Sequence, residues 1–293
     1  MAAQPAALTM AVSFTESVKP HLALLPTDYN DAADFLLGTA WKLGRADNLR
    51  KATGKCSDRA MPWDFWLIFL LLGVLIPWRG RARLRRLLAK PPLGTLEKLV
   101  LYASTIAFQW IALAAVAWRA LGRGLTPAEL GLEHQRSGEI IVAGLVGAAA
   151  LGSFHWFNLR RLGRMTGPTP ERMRKLAERI LPTKTVELLP YCALAVTAGV
   201  CEEFLYRGFA MAALQRTAVP VWLVVILTAA LFGLAHAYQG PNGIMATGLM
   251  GILFGLARLA FGSLAPMMLW HAGVDIVAGI AGPRFLLSTG ECA

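Results

Sequence analysis

Glu202-Glu203-Phe204-Leu205-Tyr206-Arg207 puts two carboxylates and a guanidinium into an apolar stretch that begins near residue 186. An ionised group at the centre of a membrane helix costs about 2.5–3.5 kcal/mol, so such residues usually face a bundle interior or a wet cavity. Glu203 and Arg207 are four apart, the spacing at which opposite charges meet on one helix face, whereas Glu202 points about 100° away. The arginine is therefore expected to neutralise Glu203 and leave Glu202 free for chemistry. This reading requires a membrane helix, and the rest of the chain supplies the context.

Of the 293 residues, 56% are hydrophobic and only 16% charged, with a mean hydropathy of +0.50. That is too apolar for an ordinary soluble domain of this length. The expected fold is all-α, a polytopic transmembrane helical bundle of about seven or eight spans enclosing a polar cavity. A net charge of +11 raises nucleic acid as a partner, but the basic residues fall in short loops between apolar segments, not on one soluble face. No nucleic-acid partner is expected, and the loops read as topology signals facing lipid headgroups. Cys56, Cys192, Cys201 and Cys292 show no CxxC pair or metal-type spacing, so neither a disulfide framework nor a metal site is implied.

Residues 1–61 are too polar to hold an obvious span, and no cleavable signal peptide is evident. Within them, Ala32–Leu43 has the length and apolar content of an interfacial amphipathic helix, with an unstructured tail as the equal alternative. Segments of about 20 apolar residues are needed to cross a bilayer, and the candidates are 62–78, 97–118, 138–158, 186–206, 219–238, 244–261 and 264–283. They divide the chain into N-terminal membrane helices over 62–158, a basic loop over 159–185 and a membrane core over 186–283. Trp63, Trp66, Trp78, Trp110 and Trp118 sit mostly near the ends of the first two, where aromatic rings favour the headgroup boundary. The loops 79–92 and 159–185 are strongly basic, which places both in the cytoplasm by the positive-inside rule. Seven spans then put the amino terminus outside, while Arg45, Arg50, Lys51, Lys55 and Arg59 argue for inside; an eighth segment or a translocated tail would reconcile the two. Gly248, Gly251 and Gly255 form a small-residue face suited to close helix packing. Arg258 either shares that inward side or snorkels from the helix end.

Three further polar groups lie in apolar sequence: His236, His271 and Asp275. Each alone has a bland account, but buried polar groups need partners, so the four on three spans are expected to converge. A carboxylate beside imidazoles can activate water: Glu202 takes a proton from water and returns it to a leaving amine, with His236 sharing in orienting the water. His271 and Asp275 are suited to an oxyanion or the substrate carbonyl, although an aspartate donates a hydrogen bond only when protonated. No Ser or Cys nucleophile has a matching base; Cys201 adjoins Glu202 but adjacent helix positions do not face each other.

EEFLYRG at 202–208, FGLAH at 232–236 and HAGVD at 271–275 resemble the three ordered motifs of the CPBP (Abi) family of glutamic intramembrane proteases. That family includes the type II CAAX prenyl endopeptidases, and its patterns are EExxxR, FxxxH and Hxxx followed by Asn or a related polar residue. The resemblance spans roughly 186–283. It implies a cofactor-free membrane endopeptidase in which Glu202 and His236 activate water, His271 and Asp275 stabilise the oxyanion, and Glu203, Arg207 and Phe232 give structural support. Asp275 stands where the prenyl-protein enzymes carry Asn. Family substrates include prenylated CAAX proteins, peptide precursors and, in a myxosortase-like branch, C-terminal sorting helices. The Arg- and Ala-rich composition looks bacterial, which implies the cytoplasmic (inner) membrane and favours a membrane-anchored protein or peptide precursor as substrate.

Two His with Glu and Asp are also an acceptable zinc set, although no HExxH is present. A non-catalytic immunity or scaffold protein is a further alternative. A proton-coupled transporter is the third, and it would normally show paired repeats, which the chain lacks. One depth constraint is severe: His236 sits near the inner end of segment 219–238, which leaves it about 20 Å below Glu202. A tilted or broken helix would close the gap, but the expectation is that the turn 239–243 is submerged in the protein interior.

Overall fold

The computed structural model describes residues 61–89, 91–133 and 137–287, and among these the regular structure is entirely helical. The interfacial helix expected at Ala32–Leu43, the basic residues from Arg45 to Arg59, Lys90, Arg136, Cys56 and Cys292 lie outside the described residues. Six helices are long and apolar enough to cross a membrane: α1 (Trp63–Leu88), α2 (Thr95–Gly122), α3 (Gly138–Gly163), α5 (Thr185–Gln215), α7 (Pro241–Phe261) and α8 (Ala265–Leu287). Two shorter helices complete the fold, α4 (Pro168–Ile180) and the apolar α6 (Val221–Ala235). The chain is a polytopic helical bundle.

Two stretches expected as loops are helical. The basic run after Trp78 continues α1 to Leu88, because Arg and Leu are strong helix formers and only Gly80 interrupts them. The connection over 159–185 contains α4, started by Pro168 at its first position. Pro170 and Ala177 of α4 are buried, while Glu171, Arg172, Lys175 and Glu178 are exposed on the opposite side. The basic ends of α1 and α3 and the basic α4 all fall at the same end of the bundle, the side the positive-inside rule assigns to the cytoplasm.

α5 is the central element, packed between α2 and α8, and α8 packs in turn on α3. α6 and α7 form a hairpin, with α1 against α6. Backbones approach closely where side chains are missing. A Cβ on Gly199 of α5 would lie 2.8 Å from the Met268 carbonyl and 2.9 Å from the Ala272 amide of α8. Gly251 meets Ala229 and Gly255 meets Val225, so the small-residue face of α7 lies on α6. Arg258 reaches beyond the helix and donates to the Glu129 carbonyl at 2.9 Å, tying α7 to the loop after α2.

At the basic end, Lys98 of α2 is buried against α5. Its Nζ donates to the Leu181 carbonyl at 2.7 Å and lies 3.5 Å from Glu187, whose carboxylate also accepts from the Thr183 amide at 2.8 Å. At the other end, Arg119 of α2 and Arg123 just after it pair with Asp64 of α1.

The depth constraint is resolved differently from expectation: α5 runs on to Gln215 instead of ending at 206, which sets Glu202 deeper, where it meets the lower end of the short α6. This helix has 15 residues, about 22 Å of rise, against a hydrocarbon core of about 30 Å. It therefore stops partway across, and His236 lies about as far below the start of α6 as Glu202 lies below the end of α5. The turn that follows is not submerged: Gly240 is buried, but Pro241 and Asn242 are exposed. What lies around it is protein, since Asn242 Nδ2 donates to Thr169 Oγ1 of α4 at 3.1 Å and the Arg172 guanidinium packs on Gly240.

Candidate active site

Past Glu203, α5 loosens: over Phe204–Ala210 its hydrogen bonds run to the fifth residue instead of the fourth. Such wide turns recur at functional sites because they re-aim side chains without ending the helix. Here the wide turn begins directly after the two glutamates. Glu203 Oε1 accepts from Arg207 Nη1 at 2.8 Å, and both side chains are 0% exposed. The Arg207 guanidinium also lies 4.2 Å from the Phe232 ring centroid and 5.4 Å from that of Phe254, so aromatic faces replace the water it has lost.

Glu203 does more than hold the arginine. The same Oε1 lies 2.9 Å from Nδ1 of His271 on α8. A carboxylate so paired with arginine accepts only, which places the proton of His271 on Nδ1. Nε2 of His271 then faces Asp275 Oδ2 at 3.7 Å. Asp275 is one turn further along α8 and 37% exposed, and its backbone carbonyl accepts from the Tyr191 hydroxyl at 3.3 Å.

Glu202 faces a second imidazole. Its Oε2 is 3.9 Å from Nε2 of His236, and the two side chains are 21% and 14% exposed. His236 terminates α6, and its Nδ1 lies 2.9 Å from the Phe232 carbonyl. A carbonyl can only accept, so Nδ1 bears the proton and Nε2 offers its lone pair towards Glu202. The other oxygen of Glu202 accepts from Gln109 Nε2 of α2 at 3.0 Å.

Phe232 stands between the two halves, its ring 4.7 Å from that of His236 and 5.8 Å from that of His271. The structure thus brings Glu202, Glu203, His236, His271 and Asp275 together in the middle of the bundle. Gln109 is the contributor that motif reading passes over. Its signal is present in the sequence, because it is the one amide side chain in the apolar run 106–118, and lone polar groups inside a span demand a partner. Among the described residues no three His, Cys, Asp or Glu side chains converge as a metal-binding group.

Residues 184–277 match the family model "Type II CAAX prenyl endopeptidase Rce1-like". That segment holds both glutamates, both histidines and Asp275, and excludes α1, α2, α3 and Gln109. No curated protein and no solved structure matches the chain.

Proposed function

Because the chain is related through residues 184–277 to the Rce1-like type II CAAX prenyl endopeptidases, we propose that it is an intramembrane endopeptidase in which Glu202 and His236 activate water. The observation that carries this reading is the 3.9 Å between Glu202 Oε2 and His236 Nε2. The separation is too long for a direct hydrogen bond and suits two acceptors that share one water. A water there donates one proton to each, which aims its oxygen lone pairs away from both bases and towards a substrate carbonyl.

As the water oxygen bonds to the scissile carbon, its proton passes to Glu202 and the carbonyl oxygen becomes negative. The C–N bond then breaks and Glu202 returns the proton to the departing amine. His271, when protonated on both nitrogens, is flanked by Glu203 and Asp275 and presents Nε2–H to the developing oxyanion. In this role Glu203 positions His271, and Arg207 holds Glu203. Asp275 supplies a carboxylate where an amide would donate, which separates this site from the prenyl-protein enzymes. The substrate class that follows is a membrane-anchored protein or peptide precursor, with a C-terminal sorting or CAAX-like tail, in the bacterial inner membrane.

The purified protein, incubated with membranes of its own organism, is expected to generate new peptide termini that a Glu202→Gln protein does not. Termini equally abundant with Glu202→Gln would overturn the proposal. So would cleavage abolished by a chelator and restored by zinc, which is the signature of a metallopeptidase.

A further inference from the structure

Away from the proposed active site, at the basic end of the bundle, α1 and α4 border an open cavity of about 270 Å³. Leu84 and Leu88 of α1 and Pro168 and Leu176 of α4 form its apolar walls, and Glu171, Arg172 and Lys175 line the rest. The Lys175 ammonium is 2.6 Å from the Glu171 carboxylate, so those two charges cancel and Arg172 remains the net charge of the wall. On α1 the spacing of three and four residues places Arg81 and Arg85 on the same face as Leu84 and Leu88. The cavity therefore has an apolar floor and Arg172 in its wall, with the exposed Arg85 on the adjoining face of α1, at the depth where α1 leaves its apolar segment for the headgroup layer; Arg81 of that face donates instead to the Ala237 carbonyl at 3.5 Å.

We propose that this cavity binds the headgroup of an anionic phospholipid, with the phosphodiester between Arg172 and Arg85 and the upper acyl chain along Leu84 and Leu88. The combination selects against either half of such a ligand alone. A free phosphate would leave the leucines uncovered, and a zwitterionic lipid would bring no net charge to the arginines. Basic clefts between helix ends on the cytoplasmic side are a general solution for anionic headgroups. The site has a structural reach beyond itself. Arg172 packs on Gly240, and α4 bonds Asn242 through Thr169, so the lipid would brace the helix that holds the turn following His236.

The test does not depend on proteolysis. The purified full-length protein is mixed in detergent with equal amounts of phosphatidylglycerol and phosphatidylcholine of the same acyl chains, and retained lipid is counted by native mass spectrometry. Phosphatidylglycerol is expected to be retained preferentially. Arg85→Gln with Arg172→Gln is expected to weaken that preference by about fivefold for each arginine removed. The control is Arg161→Gln with Arg164→Gln, equally basic residues at the same end of the molecule, which should leave the preference intact. Both double variants are first checked for unchanged thermal unfolding, and Leu84→Gln serves as a second probe of the wall if the arginine variant fails that check. Equal loss in the two double variants would overturn the site in favour of general attraction to a basic face. So would the absence of a preference, or displacement of the lipid by glycerol phosphate or by an acidic peptide at comparable concentration.

Discussion

At the scale of single residues, the division of labour between the adjacent glutamates rests on the roughly 100° that separates neighbouring helix positions. Glu203 serves both Arg207 and His271, so removing either charge of the buried pair strands the other. Arg207→Ala is expected to lower stability by about 3–5 kcal/mol, read as the thermal unfolding midpoint in detergent. An unshifted midpoint would refute the buried pair. Gln109 is different, because it meets Glu202, whose side chain is 21% exposed where that of Glu203 is fully buried. Gln109→Leu should leave the unfolding midpoint within a few degrees, lower kcat by about tenfold to a hundredfold, and leave KM unchanged, since in the proposed mechanism it would position the base and not the substrate. Gln109→Asn, which keeps the amide on a shorter arm, should recover part of the loss. A rise in KM at constant kcat would instead assign Gln109 to substrate binding. The convergence of Glu202, His236, His271 and Asp275 was legible in the sequence because each is an expensive group in apolar surroundings. The contact of Glu203 with His271 was not, since nothing along a chain tells which of two buried bases an imidazole on another helix will meet.

At the scale of elements, the meeting of α5 and α8 depends on Gly199, one turn before Glu203 and opposite Met268 and Ala272. Gly199→Val forces the two backbones apart and is expected to destabilise the protein by about 1–3 kcal/mol. It should also lower activity more than stability alone explains, because His271 moves away from Glu203; unchanged activity per folded molecule would contradict that coupling. The loop after α2 is fastened to α5 by Arg216, which bonds Glu129 at 2.8 and 2.6 Å. Burial pushes the Glu129 carboxyl up, but Arg216 and Thr126 outweigh it and hold the group below its ordinary value of 4.5. A depressed carboxylate contributes stability that is fully present above its unfolded value and is lost as pH falls through its folded one. Hydrogen exchange in residues 124–130 should therefore accelerate below about pH 4.5, and Glu129→Gln should remove that dependence. Helix positions were readable from hydropathy, but helix ends were less so. The basic end of α1 and all of α4 look like loops because polarity marks solvent, while arginine and leucine keep the helix going.

At the scale of the whole molecule, the alternation of the helices puts the basic end of α1 and α4 on one side of the bilayer and the loop 123–133 on the other. With native cysteines replaced, a single cysteine at Glu178 should react with an impermeant maleimide only from the cytoplasmic side, and one at Glu133 only from the opposite side. Labelling of both from one side would disprove the arrangement. The expectation set Glu202 too shallow because the apolar run falls off near 206, whereas α5 continues to Gln215, so the 15-residue α6 brings His236 level with it without a submerged turn. Trp222, Ile226, Leu227 and Leu234 of α6 are exposed, so lipid is in contact with a helix some 8 Å shorter than the hydrocarbon core is thick. A span shorter than the hydrocarbon core favours a thinner bilayer beside it. Turnover is therefore expected to rise in vesicles of shorter acyl chains and fall as the chains lengthen, a dependence on membrane thickness set by fifteen residues; turnover indifferent to chain length would show that the neighbouring protein shields the short helix.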